Sequence, residues 1–227
     1  MARAQLSSAT DVAGDESEQM RSGDPGGTAG ERDRLIAAFG KAAAEHGYRD
    51  VTADRVARYA GLSRDRYEAH FDSKERALVA AQDAFLERLW TDALSACEAP
   101  GEWPGKVRAA ISAVIASLVE TSTLARVFWV EGTAASFAAA ERQFVALERF
   151  ASLLREGRVR YPRAASLPAP TERILIGGVA SIVGAHLLAE DPGALPALEP
   201  ELVETLLVPY LGEGEARRVA SGRARPQ

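Results

Sequence analysis

The sequence predicts an all-α fold in which a three-helix N-terminal domain with a helix-turn-helix is joined to a larger helical domain. Apolar residues recur with a period of about 3.6 over most of the chain beyond residue 30, which is the spacing of an amphipathic helix. No stretch of the sequence shows the sustained apolar and polar alternation of a half-buried strand. Between Val51 and Ala77, two short helical patterns are separated by one glycine, Gly61, as in a helix-turn-helix.

Composition limits the classes of function. The chain has 227 residues, of which 47% are hydrophobic, enough to bury a sizeable core. Its net charge of -5 and isoelectric point near 5.4 argue against a protein that coats nucleic acid through bulk positive charge, so DNA binding would need a local surface. The single cysteine, Cys97, excludes an internal disulfide and multi-cysteine zinc sites, which fits a reducing compartment.

The N-terminal segment Met1–Gly30 is rich in Ser, Gly, Asp and Glu and poor in large apolar residues, so we expect it to be a disordered leader. It lacks the basic and then apolar pattern of a secretory signal. The most apolar run, Ile174–Ala185, is shorter than the ~20 residues that span a bilayer. These features predict a cytoplasmic protein without a membrane partner.

The first predicted helix starts at Glu31 and is closed by Gly47. Together with the two helices of the helix-turn-helix it would form a domain over residues 31–77. A unit of about fifty residues is marginal by itself, so this domain should lean on the next one. Its core is expected to contain Ile36, Phe39, Val56, Leu62, Tyr67 and Phe71.

The helix-turn-helix is predicted from its caps. Thr52 is expected to cap the first short helix through its hydroxyl, and Gly61 to end that helix in the left-handed conformation. Ser63 would cap the second helix, Arg64 to His70. A second helix of this kind offers its first turn to the major groove of DNA.

The two faces of that second helix differ. Tyr67 and Phe71 are four residues apart, so they share the face that anchors the helix to its domain. The outward face is left to Arg64, Asp65, Arg66, Glu68 and Ala69.

The larger domain is predicted over residues 78–214. A long helix from Ser73 to about Cys97 would connect the two domains. Gly132 would end the helix that precedes it, and residues 215–227 would form a polar, frayed tail. The other helices are predicted over Trp103–Glu120, Thr123–Val130, Ala135–Glu156, Thr171–Ala189 and Glu201–Leu211.

Four short pieces carry a resemblance to a known family. They are Thr52 at the start of the second helix, AGLS at 60–63, HF at 70–71 and Ser-Lys-Glu at 73–75. In order and spacing they resemble the N-terminal domain of TetR-family transcriptional repressors over Glu31 to about Leu78. The resemblance implies a homodimer that binds double-stranded, palindromic operator DNA and is released by a small, largely apolar effector. It implies neither a cofactor nor catalytic activity.

The sequence departs from the family at Glu68. Many members place a tyrosine that meets a DNA phosphate at this position, where a carboxylate would be repulsive. Either Glu68 points away or accepts from a cytosine amino group, or the register differs by one residue and Tyr67 makes the contact.

Six residues are candidate DNA contacts. The guanidinium groups of Arg64 and Arg66 could take a guanine or a phosphate, or could be surface groups paired with nearby carboxylates. Lys74, at a helix start, is expected to meet a phosphate. Thr52 could both cap its helix and donate to a phosphate, and His70 could be a packing residue instead of a DNA contact. The full set is Thr52, Arg64, Arg66, Tyr67, His70 and Lys74.

Aromatic residues are frequent in the predicted larger domain. They could form plain core, or they could line the apolar effector pocket that the resemblance implies. The candidates are Phe85, Trp90, Trp103, Phe128, Trp129, Phe137 and Phe144.

The helix predicted over Thr171–Ala189 has the pattern of an interface. Gly177, Ser181 and Ala185 form a stripe of small residues, with Ile174 and Leu188 beside it, which lets another helix approach closely. By resemblance, this helix and Glu201–Leu211, which contains Leu206, would pair with their two-fold mates in a four-helix bundle. The alternative is the same packing inside one subunit.

Two other classes of function have less support in the sequence. An enzyme would need a carboxylate such as Glu131 with His186, but the sequence has no nucleophile-base pair, phosphate loop or metal-ligand spacing. A helical adaptor whose helix-turn-helix no longer reads DNA is suggested only by Glu68 and by the near-neutral charge of the motif.

Overall fold

The structure is a computed structural model that describes residues 25–222. Throughout that range the chain forms helices, turns and loops without a strand, which confirms the predicted all-α class. The N-terminal helices are α1 (Pro25–His46), α2 (Ala53–Ala60), α3 (Arg64–His70) and α4 (Lys74–Cys97). They are followed by α5 (Trp103–Glu120), α6 (Ser122–Arg126), α7 (Gly132–Ala135), α8 (Phe137–Arg160), α9 (Thr171–Leu188), α10 (Leu195–Leu211) and α11 (Glu213–Ala220).

The predicted caps of the helix-turn-helix are confirmed. The Thr52 hydroxyl accepts the N–H of the third residue of α2 at 3.3 Å, and Ser63 and Ser73 cap α3 and α4 in the same way. Gly61 has φ 67°, so it ends α2 in the left-handed conformation that costs glycine little.

One apolar core joins the N-terminal helices to the rest of the chain. Leu35, Phe39 and Tyr67 belong to the same buried cluster as Phe85 and Phe128. Of the predicted core, Phe39, Val56, Tyr67 and Phe71 are buried, while Ile36 and Leu62 are partly exposed. The N-terminal helices therefore lean on the larger part of the molecule, as expected for a unit of about fifty residues.

The region around Gly132 differs from the prediction. Instead of a helix that stops at Val130, α6 continues through a π-helical turn over Val127–Glu131 into α7, and the break comes at Ser136. A β-carbon on Gly132 would lie 3.3 Å from a methyl of Leu78, so this glycine lets α4 approach rather than ending a helix. The wide turn frees the Phe128 carbonyl, which accepts from the buried Gln82 amide at 3.1 Å.

Helix ends were the least predictable feature. The first helix starts at Pro25, inside the predicted leader, whose remaining residues 1–24 lie outside the described range. Helix α10 starts at Leu195 rather than Glu201, because Pro200 sits inside the helix without breaking it. The predicted frayed tail is also wrong up to Ala220, since α11 buries Ala216 and Ala220 against the helix before it.

A second buried cluster fills the far end of the molecule. Trp103 packs edge-on against Tyr210, with ring centroids 5.0 Å apart, where α5, α8 and α10 meet. Beneath it, the buried Glu172 accepts from Arg158 Nε at 2.6 Å and from the Tyr210 hydroxyl at 2.9 Å. This polar cluster fixes α8, α9 and α10 to one another.

Candidate functional site

The first turn of α3 forms an exposed surface at one end of the molecule. Its orientation is set by the Ser63 cap, which holds the N–H of Arg66, and by Tyr67, which packs against Phe71 with ring centroids 5.7 Å apart. Arg64 and Arg66 both lie on the exposed side. A helix anchored this way presents its first turn to a groove of DNA.

Arg64 is held by two carboxylates. Its Nε donates to Glu68 at 2.7 Å and its Nη1 to Asp54 of α2 at 3.1 Å. The hydrogen bond to Glu68, followed by the charge of Asp54, raises the pKa of the Arg64 guanidinium. The predicted pairing with Glu68 is therefore present in this structure, and a DNA contact by Arg64 would replace these partners.

Arg66 is held by Glu31, a residue of α1. Its Nε donates to Glu31 Oε2 at 2.9 Å, and the half-buried His70 places Nε2 at 3.4 Å from the same oxygen. The hydrogen bond from Arg66, helped by His70, lowers the pKa of the Glu31 carboxyl. The Glu31 carboxylate thus interacts with two of the residues that are predicted to contact DNA.

Tyr67 is buried, which contradicts its prediction as a DNA contact. It is only 4% exposed and lies in the core, so its hydroxyl is not offered to DNA. Burial raises the pKa of this phenol. Glu68 is the residue that faces outward at this point of α3.

Lys74 is folded back onto the loop before α2. Its Nζ donates to the Arg49 carbonyl at 2.8 Å and lies 4.4 Å from the centroid of the Tyr48 ring. Loss of solvent lowers the pKa of this ammonium. Thr52 is exposed and caps α2, so phosphate contacts by Thr52 and Lys74 remain predictions.

The N-terminal helices are linked to the larger part through Glu131. Its Oε2 accepts the Tyr48 backbone N–H at 3.1 Å, and its Oε1 pairs with Arg126 at 2.8 Å. Arg126 also lies 3.7 Å from Glu190, after the end of α9. Glu131 is thus a structural link between the loop that precedes the helix-turn-helix and the π-helical turn.

An apolar cavity of about 140 Å³ lies between the ends of α4, α5 and α8. Of the predicted aromatic residues only Trp103 lines it, and Phe150, which is not among the predicted pocket residues, lines it from α8. The other lining residues are Cys97, Lys106, Val107, Ala110, Ile111, Val114, Leu153, Leu154, Glu156, Ile176 and Leu206.

The other predicted aromatic residues are dispersed. Phe85 and Phe128 pack together, with ring centroids 5.6 Å apart, and border a more open cleft of about 410 Å³ between α1, α4 and α6. Trp90 packs edge-on against Phe150 behind the cavity. Trp129 lies half-buried against Gly184 of α9.

Phe137 and Phe144 contradict the predicted pocket. Phe137 is 86% exposed and Phe144 is also exposed, because both lie on the outer side of α8. Arg173 of α9 lies 5.5 Å from the centroid of the Phe144 ring. The two rings therefore belong to the molecular surface.

An exposed apolar face runs along α8 and α9. Gly178, Ser181 and Ala185 are exposed between its apolar residues, and a β-carbon on Gly177 or Gly178 would meet no atom within 4 Å apart from the backbone of its own helix and its chain neighbours. Its large members are Phe137, Phe144, Val145, Val159, Ile174, Ile182 and Leu188.

Leu206 is not part of this face. It is fully buried in the second apolar cluster, because α10 packs inside the subunit against α5 and α11. Leu206 is therefore not available to a second subunit, while the predicted pairing of α9 and residues 201–211 with their two-fold mates stays a prediction.

The two residues of the candidate enzymatic pair, Glu131 and His186, lie in different surroundings. Glu131 is occupied by Arg126 and Tyr48, and His186 is half-buried on α9. Across residues 25–222, no group of His, Cys, Asp and Glu side chains could hold a metal ion.

Comparisons with known proteins identify the fold. No protein-family model and no curated protein matches the sequence. Solved structures do match. The fatty acid degradation regulator FadR from Bacillus halodurans has a TM-score of 0.68 at 21% identity, over 78% of this chain and 94% of its own.

Two liganded regulators have the same fold. RolR in complex with resorcinol has a TM-score of 0.64 at 17% identity, over 89% of this chain and 98% of its own. FadR from Bacillus subtilis in complex with stearoyl-CoA has a TM-score of 0.60 at 17% identity, over 79% and 98%. Other matching structures are described as TetR-family transcription regulators. This chain has the all-α fold of these transcription regulators.

Proposed function

We propose that this protein is a ligand-responsive transcriptional repressor that binds a palindromic operator as a homodimer and is released by a small, largely apolar effector. The observation that carries the proposal is a capped helix-turn-helix joined through one continuous core to a helical body with an apolar cavity. The fold shared with transcription regulators supports it, and we expect the protein to act in the cytoplasm.

DNA binding would rest on a few placed cations rather than on net charge. Arg64 and Arg66 stand on the exposed first turn of α3, each paired with carboxylates. Binding would exchange those carboxylates for phosphate or guanine. Since each exchange costs the internal ion pair, affinity should be modest for one subunit and should rely on two linked reading helices.

The α8 and α9 face is the proposed dimer interface. Val159 is 90% exposed and Leu188 67%, and an apolar face of this extent on a folded protein calls for a partner. Exposed Gly178, Ser181 and Ala185 would let a helix of the second subunit approach closely. In a two-fold dimer, α8 and α9 would pair with their own mates.

Helix α9 also has the length and apolar composition of a membrane span. Two features favour a protein partner instead. Glu172 in its first turn is buried in an ion pair with Arg158, and its inner side packs into both apolar clusters. A helix engaged in this way belongs to a folded bundle, so we propose that its outer face meets a second copy.

The effector would act by binding the cavity better in the conformation that does not fit the operator. Such coupling is reciprocal, so operator DNA must weaken effector binding by the same factor. Two structural neighbours carry ligands in their solved structures, resorcinol in RolR and stearoyl-CoA in FadR, which supports a ligand-responsive role for this chain.

The test is binding of the purified protein to duplex DNA that flanks its own gene, measured by fluorescence anisotropy at several salt concentrations. We expect specific binding whose affinity falls steeply with salt, because several phosphates are contacted. Arg64→Ala and Arg66→Ala should each weaken binding, whereas Arg88→Ala, an exposed arginine of α4, should not. A folded dimer with no salt-dependent binding to any such DNA would instead support the adaptor.

A further inference from the structure

The cavity at the junction of α4, α5 and α8 has properties that define a ligand class. We propose that its ligand is a single-ring aromatic carboxylate, with the ring in the apolar cavity and the carboxylate on the ammonium of Lys106. The inference rests on the proposed function, because it names the effector of the same protein.

The volume of the cavity limits the ligand to one ring. It encloses about 140 Å³, and an engineered apolar cavity of about 150 Å³ in another protein holds a benzene molecule. A long acyl chain would require the surrounding helices to separate. The cavity therefore selects a short, compact apolar group.

The walls of the cavity are fixed, so they do not simply collapse into it. The Trp103 indole N–H donates to the Leu153 carbonyl at 3.1 Å, and its ring lies against the bare backbone of Gly157. Phe150 is held from behind by the edge of Trp90. Two fixed aromatic rings favour an aromatic guest through edge and offset contacts. Since the indole N–H is already bonded, it is not the polar partner of the ligand.

Lys106 is the polar group that remains for a ligand. Glu156 is bonded to Arg160 at 2.7 Å. Cys97 is placed to donate its thiol hydrogen to the Lys106 carbonyl, and burial raises the pKa of that thiol, which keeps it neutral. Lys106, half-buried on α5, is one of the residues that line the cavity, and among residues 25–222 no carboxylate lies within ion-pair distance of its ammonium.

This combination predicts an anionic oxygen on the ring. An ammonium at the edge of an apolar cavity gains more from an anion than it would in bulk water, because solvent competes less. A carboxylate one bond from the ring satisfies Lys106 while the ring fills the cavity. A neutral ring would fill the same space without that bond.

The test is isothermal titration of the full-length protein with benzoate, salicylate and 4-hydroxybenzoate, with toluene and hexadecanoate as comparison ligands. We expect at least one aromatic acid to bind once per subunit. Lys106→Met should weaken it by about ten-fold or more, as expected for loss of a hydrogen bond between charged groups. Lys106→Arg should retain most of the affinity. Lys41→Met, a lysine of α1 far along the chain from the cavity, is the matched control and should bind as the wild type does.

Toluene binding shows whether Lys106→Met has lost only the charge of the lysine or also the folded cavity. It should bind Lys106→Met as well as it binds the wild type, which shows that the cavity of the variant is intact. The inference is overturned if none of the three acids binds, if Lys106→Met binds them as tightly as the wild type, or if hexadecanoate binds more tightly than they do.

DNA binding is measured on the same protein without ligand. Operator binding without binding of any aromatic acid would overturn only the ligand class. Binding of an acid that depends on Lys106, without any operator binding, would support the ligand class and contradict the proposed regulator.

Discussion

Gly157 lies so close to Trp103 that a β-carbon built on the glycine would come within 2.5 Å of the indole Cη2 and 2.6 Å of Cζ2. The same β-carbon would lie 2.6 Å from the ring of Tyr210. Neither ring can retreat freely, because both are buried in the second apolar cluster. A glycine in the last turn of α8 is therefore the condition for placing Trp103 in the cavity wall.

Gly157→Ala should displace Trp103 into the cavity. We expect the free energy of unfolding to fall by about 1 to 3 kcal/mol, as for other overpacked cores, and aromatic ligands to be excluded. Urea unfolding followed by tryptophan fluorescence checks the first effect and titration the second. Gly105→Ala is the control, because a β-carbon there meets no atom within 4 Å; it should be neutral or stabilising by up to about 1 kcal/mol. Unchanged stability of Gly157→Ala would contradict the packing argument.

Removing the charge of Glu31 should strengthen DNA binding. Glu31→Gln frees Arg66 and His70 from their shared carboxylate and removes a negative charge beside the reading helix. We expect affinity for operator DNA to rise by a few-fold at low salt, with a smaller gain at high salt because exposed charges are screened. Anisotropy titrations at two salt concentrations measure this. Asp33→Asn removes an equal charge from α1 without freeing Arg66; if it raised affinity as much, bulk charge rather than release of Arg66 would be responsible.

Glu172 should make stability depend on acid pH. Burial pushes its pKa up, but hydrogen bonds from Arg158, its own backbone N–H and Tyr210 outweigh burial, so the pKa of this carboxyl lies below its usual range. A carboxyl whose pKa is lowered on folding stabilises the fold above the pKa of the unfolded chain. That contribution is lost as pH falls through the folded-state pKa. The free energy of unfolding should therefore fall below about pH 4.5.

Glu172→Gln should lose most of that dependence. At pH 7 it should cost about 3 to 5 kcal/mol, because Arg158 is left without its buried partner. Chemical unfolding at pH 7 and pH 3.5 measures both effects. Glu87→Gln, which breaks an exposed pair with Arg149, should cost under about 1 kcal/mol. Equal costs for the two substitutions would contradict the assigned role of the buried cluster.

Charges placed on the α8 and α9 face should separate the subunits. Val159→Glu and Leu188→Glu place their carboxylates in solvent in the monomer, but in the proposed dimer they would bury two carboxylates from each subunit. We expect light scattering after size exclusion to report a dimer for the wild type and a monomer for the double variant. Operator affinity should fall with it. Leu94→Glu adds charge at an exposed leucine of α4 and should remain dimeric; a wild-type monomer at micromolar concentration would contradict the interface.

What the sequence predicted well was local. The caps at Thr52, Ser63 and Ser73 and the turn at Gly61 depend on residues within four positions of one another, and these interactions form wherever the chain is helical. The fold class follows from the same short-range periodicity. Even Tyr67, placed in the core by its spacing from Phe71, needed no knowledge of distant contacts.

The sequence predicted poorly which side of each helix packs against another helix. Periodicity shows that Phe137 and Leu206 lie on apolar sides of helices, but does not show whether such a side faces the core of the subunit or its surface. The pattern therefore favours a pocket for Phe137 and an interface for Leu206, whereas the structure places Phe137 on the surface and buries Leu206 in the wall of the cavity. Phe150 was missed for the same reason, since only the packing of α8 against α5 turns it toward the cavity.

The link from Glu131 to the Tyr48 backbone N–H, together with the shared core, bears on how this protein could be rebuilt. Exchanging its reading head for that of another regulator at residue 77 would cut through a cluster that contains both Leu35 and Phe128. It would also take away the Tyr48 backbone N–H that donates to the Glu131 carboxylate. A working chimera should therefore take the loop at 47–50 and the turn at 127–131 together from the same parent protein. The border along which this molecule can be exchanged in evolution or in the laboratory is a surface in space rather than a point in the chain.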